Sequence, residues 1–443
     1  GWANIEGRAH RYQLPRVFST IALPMLDWGW PLRTVVLALA VWSAAGRHLQ
    51  PSDTIEQIMG GYGVNVEEHR IVTADGYILV AFRLSRPNAP VVLFQHGILS
   101  SAWCWIENSP DLSPAYQAYL MGYDVWMTNS RGNMFSRGHV VLDSWLNKEY
   151  WDFSFADMAR EDVPANINYI LQETGQKTLT FVAHSQGSTQ FFASMTLPET
   201  KQFLSEKVNL FVAVAPVTQL KHQAGILLNV LTKFKLGALV NKLFPYGFGN
   251  VGTAHKATSL LCRATFGMVC SLGVDVVCGI SDHDDRHALT NVSAHFPAGV
   301  SVKSLAHFEQ LIVGGGFRDY DYGTNGNMQR YNSERPPVFD LRQAAVPTAL
   351  FIGSKDNLGD PTDEEYSAAL FQKNVLVYNE TYEDFSHVTW IAGKEKAFNL
   401  WFPKFKNLLE SHNPLPRKGA TTKGGSLEPE PKSAVEVTLP VLI

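Results

Sequence analysis

The chain has 443 residues, enough for one large domain or two to three average ones, and enough to bury a sizeable core. Charged residues make up 18% of it and hydrophobic ones 45%. That charge content lies well below the ~25% usual for soluble domains and points to apolar surface, with lipid as one candidate partner. The formal net charge of −4 gives no basis for nucleic-acid binding, and 4 cysteines are too few for a disulfide scaffold. The lack of a CxxC pair argues against a zinc site, so no metal and no cofactor is assigned.

Thr34–Gly46 (TVVLALAVWSAAG) is uncharged and mostly apolar and follows Arg33. It is shorter than the ~20 residues a membrane-spanning helix needs. It suits the apolar part of a secretory signal, with Ser43, Ala44 and Ala45 as a cleavage site. Counting from Met25 to Ala45 gives 21 residues, an ordinary signal length. Residues 1–46 are therefore expected to be a leader, which places the mature chain outside the cell or in an endolysosomal lumen. A core-packing or interfacial segment is the alternative, and N-terminal sequencing of secreted protein separates the two.

Val66–Leu84 alternates about Asp75-Gly76 and predicts a β-hairpin. Val91–His96 is a continuous apolar run suited to a central strand. Tyr123–Thr128 predicts the next strand and ends in Asn129-Ser-Arg-Gly132. Ser154–Glu173 has a helical pattern, opened by the capping pair Ser154 and Asp157 and stopped by Gly175. Further strands are predicted at Thr178–Val182, Asn209–Ala215, Pro347–Gly353 and Asn374–Tyr378, with a closing helix over Lys394–Ser411. Strands alternating with helices predict an α/β fold with a mostly parallel central sheet covered on both faces.

The alternation stops between Pro216 and Arg342. About 125 residues are too many for a loop and predict an inserted helical cap. Its first part, Gln219–Phe248, sets Ile226, Leu227, Val230, Leu231 and Phe234 at near-helical spacing among lysines. This reads either as a helix packed on the core or as a mobile lid that meets a lipid surface. The expected order is leader 1–46, core 52–216, cap or lid 217–342, core 343–412, and a disordered tail 413–443 rich in Pro, Lys, Gly, Ser and Glu.

Chemistry concentrates at Val182-Ala-His-Ser185-Gln-Gly187. A serine between a short buried strand and a helix is a nucleophile elbow, whose strained turn exposes the hydroxyl. Gly187 meets the need for a small residue beside the turn, and Ala183 is the next smallest choice on the other side. A serine hydroxyl needs a histidine as base and a carboxylate to orient that histidine. In chain order these are expected after later strands, which selects Asp356 and His387. Asp360, Asp363 and Asp384 are alternatives for the acid. Backbone donors for an oxyanion are expected at Gln186, after the nucleophile, and at Ile98 in His96-Gly97-Ile98. His184 is read as packing.

These residues together resemble the acid lipases, the animal gastric and lysosomal type with related cholesteryl ester hydrolases. The resemblance is carried by Thr73-Ala-Asp-Gly-Tyr-Ile, Gln95-His-Gly-Ile-Leu-Ser-Ser-Ala, Gly122-Tyr-Asp-Val-Trp, Asn129-Ser-Arg-Gly-Asn, Trp151-Asp-Phe-Ser-Phe, the elbow, and Gly353-Ser-Lys-Asp356. It runs from about Asp53 to Leu409. It implies an α/β-hydrolase fold with an inserted lid, nucleophile Ser185, acid Asp356, base His387, and oxyanion donors Ile98 and Gln186. It also implies a cap disulfide, assigned to Cys262 and Cys270, with Cys278 free. Ala183 in place of glycine and Val-Thr-Trp after His387, where relatives often carry a carboxylate, are departures. Two sequons, Asn291-Val-Ser and Asn379-Glu-Thr, are candidate glycosylation sites.

The leading expectation is a serine ester hydrolase acting on triacylglycerols or cholesteryl esters at a lipid–water interface, with transient contact to a membrane or lipid droplet. An acyltransferase on the same fold and a non-catalytic binding protein are the competing classes. Covalent labelling by a fluorophosphonate excludes the second, and a product assay with added alcohol excludes the first.

Overall fold

The predicted hairpin forms as β1 (Val66–Val72) and β2 (Tyr77–Leu84), antiparallel, from Val66 opposite Leu84 to Val72 opposite Ile78. The turn needs Gly76, whose φ of 95° is a conformation that residues with a Cβ rarely adopt. The computed structural model describes residues 53–224, 246–248, 260–265 and 268–416. The chain divides into two units, residues 1–47 and 48–443, and all described residues belong to the second. The expected leader, most of the lid stretch Gln219–Phe248 and the tail from residue 417 lie outside the described residues.

The other strands of the main sheet are β3 (Val91–Gln95), β4 (Asp124–Thr128), β5 (Gly138–His139), β6 (Leu179–Ser185), β7 (Val208–Pro216), β10 (Thr348–Gly353) and β11 (Leu376–Tyr382). β8 (Gly247–Phe248) and β9 (Val300–Ser301) pair only with each other. The main sheet runs β1-β2-β4-β3-β6-β7-β10-β11, with β5 beside β2. From β4 to β11 every pairing is parallel. Along β3, Val91 and Leu93 face one apolar cluster and Val92 and Phe94 the other. Burial on both faces is why these strands read as unbroken apolar runs rather than alternating ones.

Two predicted elements differ. β11 extends to Tyr382, past the expected end at Tyr378. It is the edge strand, and its alternating exposure explains why its polar half does not look like a buried strand. The predicted helix over Ser154–Glu173 contains a π-turn at Met158–Asp162 before it continues as Val163–Thr174. The capping box at Ser154 and Asp157 is present, and Gly175 closes the helix at φ 67°.

The π-turn holds Asp162 against Arg131, which follows β4. Arg131 is fully buried. Its Nε donates to Asp162 Oδ1 at 2.7 Å, its Nη1 donates to Asp75 Oδ2 at 2.6 Å, and its guanidinium lies 3.9 Å from the Tyr77 ring centre. Residues from three separated stretches thus meet at one charge.

Trp151–Phe155 is the landing for the segment between β7 and β10. Lys303 Nζ donates to Asp152 Oδ1 at 2.7 Å, Ser301 Oγ to Phe153 O at 2.5 Å, and His307 stacks on Phe155 at 3.9 Å. Among the described residues this segment adds no strand to the main sheet. Its helices include Met268–Cys278, Arg286–Val292 and Val302–Gly314.

Candidate active site

Strand β6 delivers Ser185 into the turn ahead of the helix Gln186–Ser194. Ser185 has φ 54° and ψ −124°, a strained conformation for a residue with a Cβ. The close approach explains the small neighbours. A Cβ at Gly187 would lie 2.7 Å from both the Gln95 and His96 carbonyl oxygens.

Ser185, Asp356 and His387 come together. The Ser185 hydroxyl donates to His387 Nε2 at 2.7 Å, and His387 Nδ1–H donates to Asp356 Oδ2 at 2.8 Å. Asp356 Oδ1 accepts the Leu358 and Gly359 N–H groups, each at 2.8 Å. The other acids are engaged elsewhere. Asp360 caps the helix Pro361–Ala368, Asp363 binds the His222 ring at 2.7 Å, and Asp384 accepts the Asp282 N–H. Ser185 is 5% exposed, His387 3% and Asp356 2%, so the three sit under cover.

The loop after β3 abuts the serine: a Cβ on Gly97 would stand 2.8 Å from Ser185 Cβ. His96 orients this loop. Its Nε2 accepts the Ser130 N–H at 3.1 Å, which puts the proton on Nδ1, and Nδ1–H donates to the Gly97 carbonyl at 2.7 Å. Burial pushes the imidazole down to about 4, so it stays neutral. In a trans peptide the N–H points opposite to the C=O, so the Ile98 N–H is turned away from His96. Leu99, at φ 60°, has its carbonyl held by the Ala298 N–H at 2.6 Å. Gln186 is the first residue of its helix, where backbone N–H groups lack intrahelical acceptors. Asn129 and Asn133 complete the support. Asn129 Oδ1 accepts the Ala102 N–H at 3.0 Å, and Asn133 Nδ2 donates to it at 2.9 Å.

His184 does more than pack. Its Nε2–H donates to the His387 carbonyl at 2.8 Å, tying the elbow to the loop that carries the histidine. Burial, then the neighbouring His387, pushes it down to about 3, so it too is neutral. The signal for His96 and His184 lay in their places beside Gly97 and Ser185, but chain position does not reveal which carbonyl a ring reaches.

Cys262 is disulfide-bonded, Cys104 and Cys278 are free, and the side chain of Cys270 lies outside the described residues. Asn379 is exposed on β11. Asn291 is buried, and its Nδ2 donates to the Glu107 carbonyl at 3.2 Å. A glycan on that nitrogen would require the Asn291 side chain to leave its buried place.

Residues 90–389 match the family model described as alpha/beta hydrolase fold, and residues 55–109 match that of a partial alpha/beta-hydrolase lipase region. The chain is 35% identical over 347 residues to the gastric triacylglycerol lipase of Rattus norvegicus, covering 73% of this chain and 85% of the relative. It is 35% identical over 361 residues to lipase member K of Homo sapiens, covering 78% and 88%. It is 32% identical over 410 residues to the lysosomal acid lipase/cholesteryl ester hydrolase of Macaca fascicularis, covering 85% and 98%. The chain belongs to the α/β-hydrolase-fold family and, within it, to the gastric and lysosomal acid lipases, and it is a carboxylic ester hydrolase.

Proposed function

We propose that the chain cleaves fatty acyl esters of neutral lipids through an acyl-enzyme on Ser185. The observation that carries this reading is the hydrogen-bonded series Ser185–His387–Asp356, at 2.7 and 2.8 Å. The Ser185 oxygen attacks the ester carbonyl while His387 Nε2 takes its proton. The oxyanion of the tetrahedral intermediate is held by the Ile98 and Gln186 N–H groups. His387 then gives its proton to the departing alcohol as the C–O bond breaks. A water attacks the acyl-serine, losing its proton to His387, and the fatty acid leaves as Ser185 regains a proton. Asp356 keeps His387 in the tautomer that accepts at Nε2.

Triacylglycerols and cholesteryl esters are the substrates, in line with the names of the relatives. We read residues 217–342 as a cap with a lid, and the low exposure of Ser185 supports a movement of the residues around it when an ester enters. Contact with a lipid surface fits the exposed side chains of Met268, Leu272 and Val276, spaced four apart on one helix, and those of Val141, Trp145 and Leu146 on a loop. The protein acts outside the cell or in the lysosomal lumen, with residues 1–46 as leader. Cys262 pairs with Cys270, and Asn379 carries a glycan.

Ser185→Ala tests the mechanism. Turnover of paired triacylglycerol and cholesteryl ester emulsions across pH should fall on the order of 10⁶-fold, with fluorophosphonate labelling lost and the fold intact. Hydrolysis that persists in this variant overturns it.

A further inference from the structure

The loop that carries His387 is held from one side by Cys278, which ends the helix Met268–Cys278, and by the stretch that runs from it to Asp285, ahead of the helix Arg286–Val292. The Cys278 carbonyl accepts the His387 N–H at 3.0 Å and the Asn357 N–H at 3.4 Å, so one oxygen touches the histidine and the neighbour of Asp356. The Lys394 N–H donates to His283 O at 2.8 Å, the Asp285 N–H to Ala392 O at 2.9 Å, and Ser281 Oγ to Asp384 O at 2.5 Å.

The side chain of Asp284 is central to this seam. It is 7% exposed. Its Oδ2 accepts from Ser386 Oγ at 2.7 Å and its Oδ1 from Thr389 Oγ1 at 2.6 Å. Thr389 Oγ1 in turn accepts the Ser386 N–H at 2.9 Å, and Ser386 Oγ the Val388 N–H at 3.3 Å. The residues on both sides of His387 thus end on a single carboxyl group contributed from more than a hundred positions earlier in the chain. A buried carboxyl is costly unless its oxygens are satisfied, and among the described residues the side-chain donors to Asp284 are the two hydroxyls that flank the histidine.

We propose that Asp284 is a positioning residue for the ester hydrolysis: it fixes the turn Ser386–Thr389 in which His387 reaches Asp356 and Ser185 together. This rests on the Ser185 mechanism above. His387 must satisfy two short hydrogen bonds at opposite ends of its ring, so a small rotation of the turn breaks one of them. Displacing a reacting group by about 1 Å can cost on the order of 100-fold in rate. Asp284 is pushed up to about 6, by burial first and then by the nearby Asp275 and Asp384, against the two hydroxyl hydrogen bonds. His283, His387 and Lys394 also flank the seam. As pH rises through this range the carboxyl becomes a pure acceptor for both hydroxyls.

The test uses the full chain with p-nitrophenyl butyrate, and kcat is expressed per serine titrated by a fluorophosphonate, so unfolded protein does not count. Asp284→Ala should lower kcat per titrated site by roughly 10- to 100-fold with KM within a few-fold. Asp284→Asn, which resembles the protonated acid, should lose less, and its deficit should widen as pH is raised through about 6. Ser386→Ala/Thr389→Ala should show the Asp284→Ala defect, and the triple variant should be no worse, because the interaction is shared. A purely structural role would lower the number of titrated sites and leave kcat per site unchanged. Per-site kcat of Asp284→Ala within twofold of wild type across pH 4–8, or additive losses in the triple variant, overturns the proposal. Ser185→Ala run alongside isolates the other failure, since loss of labelling there upholds the nucleophile whatever Asp284 does.

Discussion

Gly97→Ala probes the nucleophile and the oxyanion loop with a single methyl group. The new carbon would sit 2.8 Å from Ser185 Cβ, 3.1 Å from His184 Nδ1 and 3.3 Å from Ser185 Oγ. Carbon atoms pack at about 3.5–4.0 Å, so the first contact is short by about 0.7 Å. Ser185 has little room to yield, because it sits in a strained turn with Gly187 pressed on two carbonyls and His184 bonded to the histidine loop. The strain therefore falls on the Gly97-Ile98 peptide, which moves away from the serine. Displacement of a donor by most of an ångström should cost on the order of 100-fold in kcat, or about 2.7 kcal/mol of barrier. KM for a soluble short-chain ester should change little, since the donor acts on the oxyanion and not on the bound ester. The assay is steady-state hydrolysis of p-nitrophenyl butyrate, with thermal melting as a check on folding. A folded variant with kcat within threefold of wild type would refute both the steric reasoning and the place of Ile98 in the oxyanion hole.

Arg131→Ala should destabilise the fold by about 3–5 kcal/mol, because it strands the buried Asp162 and releases Asp75; urea unfolding measures this, and a loss below 1 kcal/mol contradicts it. Glu364 is buried with its Oε1 on the Thr218 N–H, and its pKa is pushed up to about 8, by burial first and then by Asp356 and Asp363. Its contribution is fully present below its ordinary value near 4.5 and declines as pH rises toward 8, so Glu364→Gln should gain about 3 kcal/mol on wild type between pH 4.5 and 7. Parallel stability–pH curves for the two proteins would contradict this. Asn379→Gln should remove one glycan from protein made in a secretory host, whereas Asn291→Gln should leave the mass of the glycosylated protein unchanged apart from the substitution. A glycan found on Asn291 by peptide mass spectrometry would contradict the burial of its amide nitrogen.

Much of the sheet was legible because its pattern is local. Val91–Gln95 and Leu179–Ser185 are buried on both faces, and unbroken apolar runs say so without reference to anything distant. The second half of β11 is not legible as a strand because an edge strand carries polar residues on its open face. The π-turn at Met158–Asp162 is invisible in the sequence because the partner of Asp162 is Arg131, some thirty residues away. The bond made by His184 is hidden for the same reason: its partner is a carbonyl 203 positions later.

The sequence alone determined the class of chemistry. A serine between strand and helix, with an acid and a histidine after later strands, follows from residue types and order, because the elbow and the strand ends are local features. Which carboxyl serves the histidine was decided only in three dimensions. Four aspartates lay within reach along the chain, and the crossing of β10 beside β11 brings Asp356 alone to His387 Nδ1. The supports of that histidine, Asp284, His184 and the Cys278 carbonyl, belong to the tertiary structure entirely. A hydrogen bond depends on separation in space, and chain separation carries no information about it once the fold has closed a loop of a hundred residues or more.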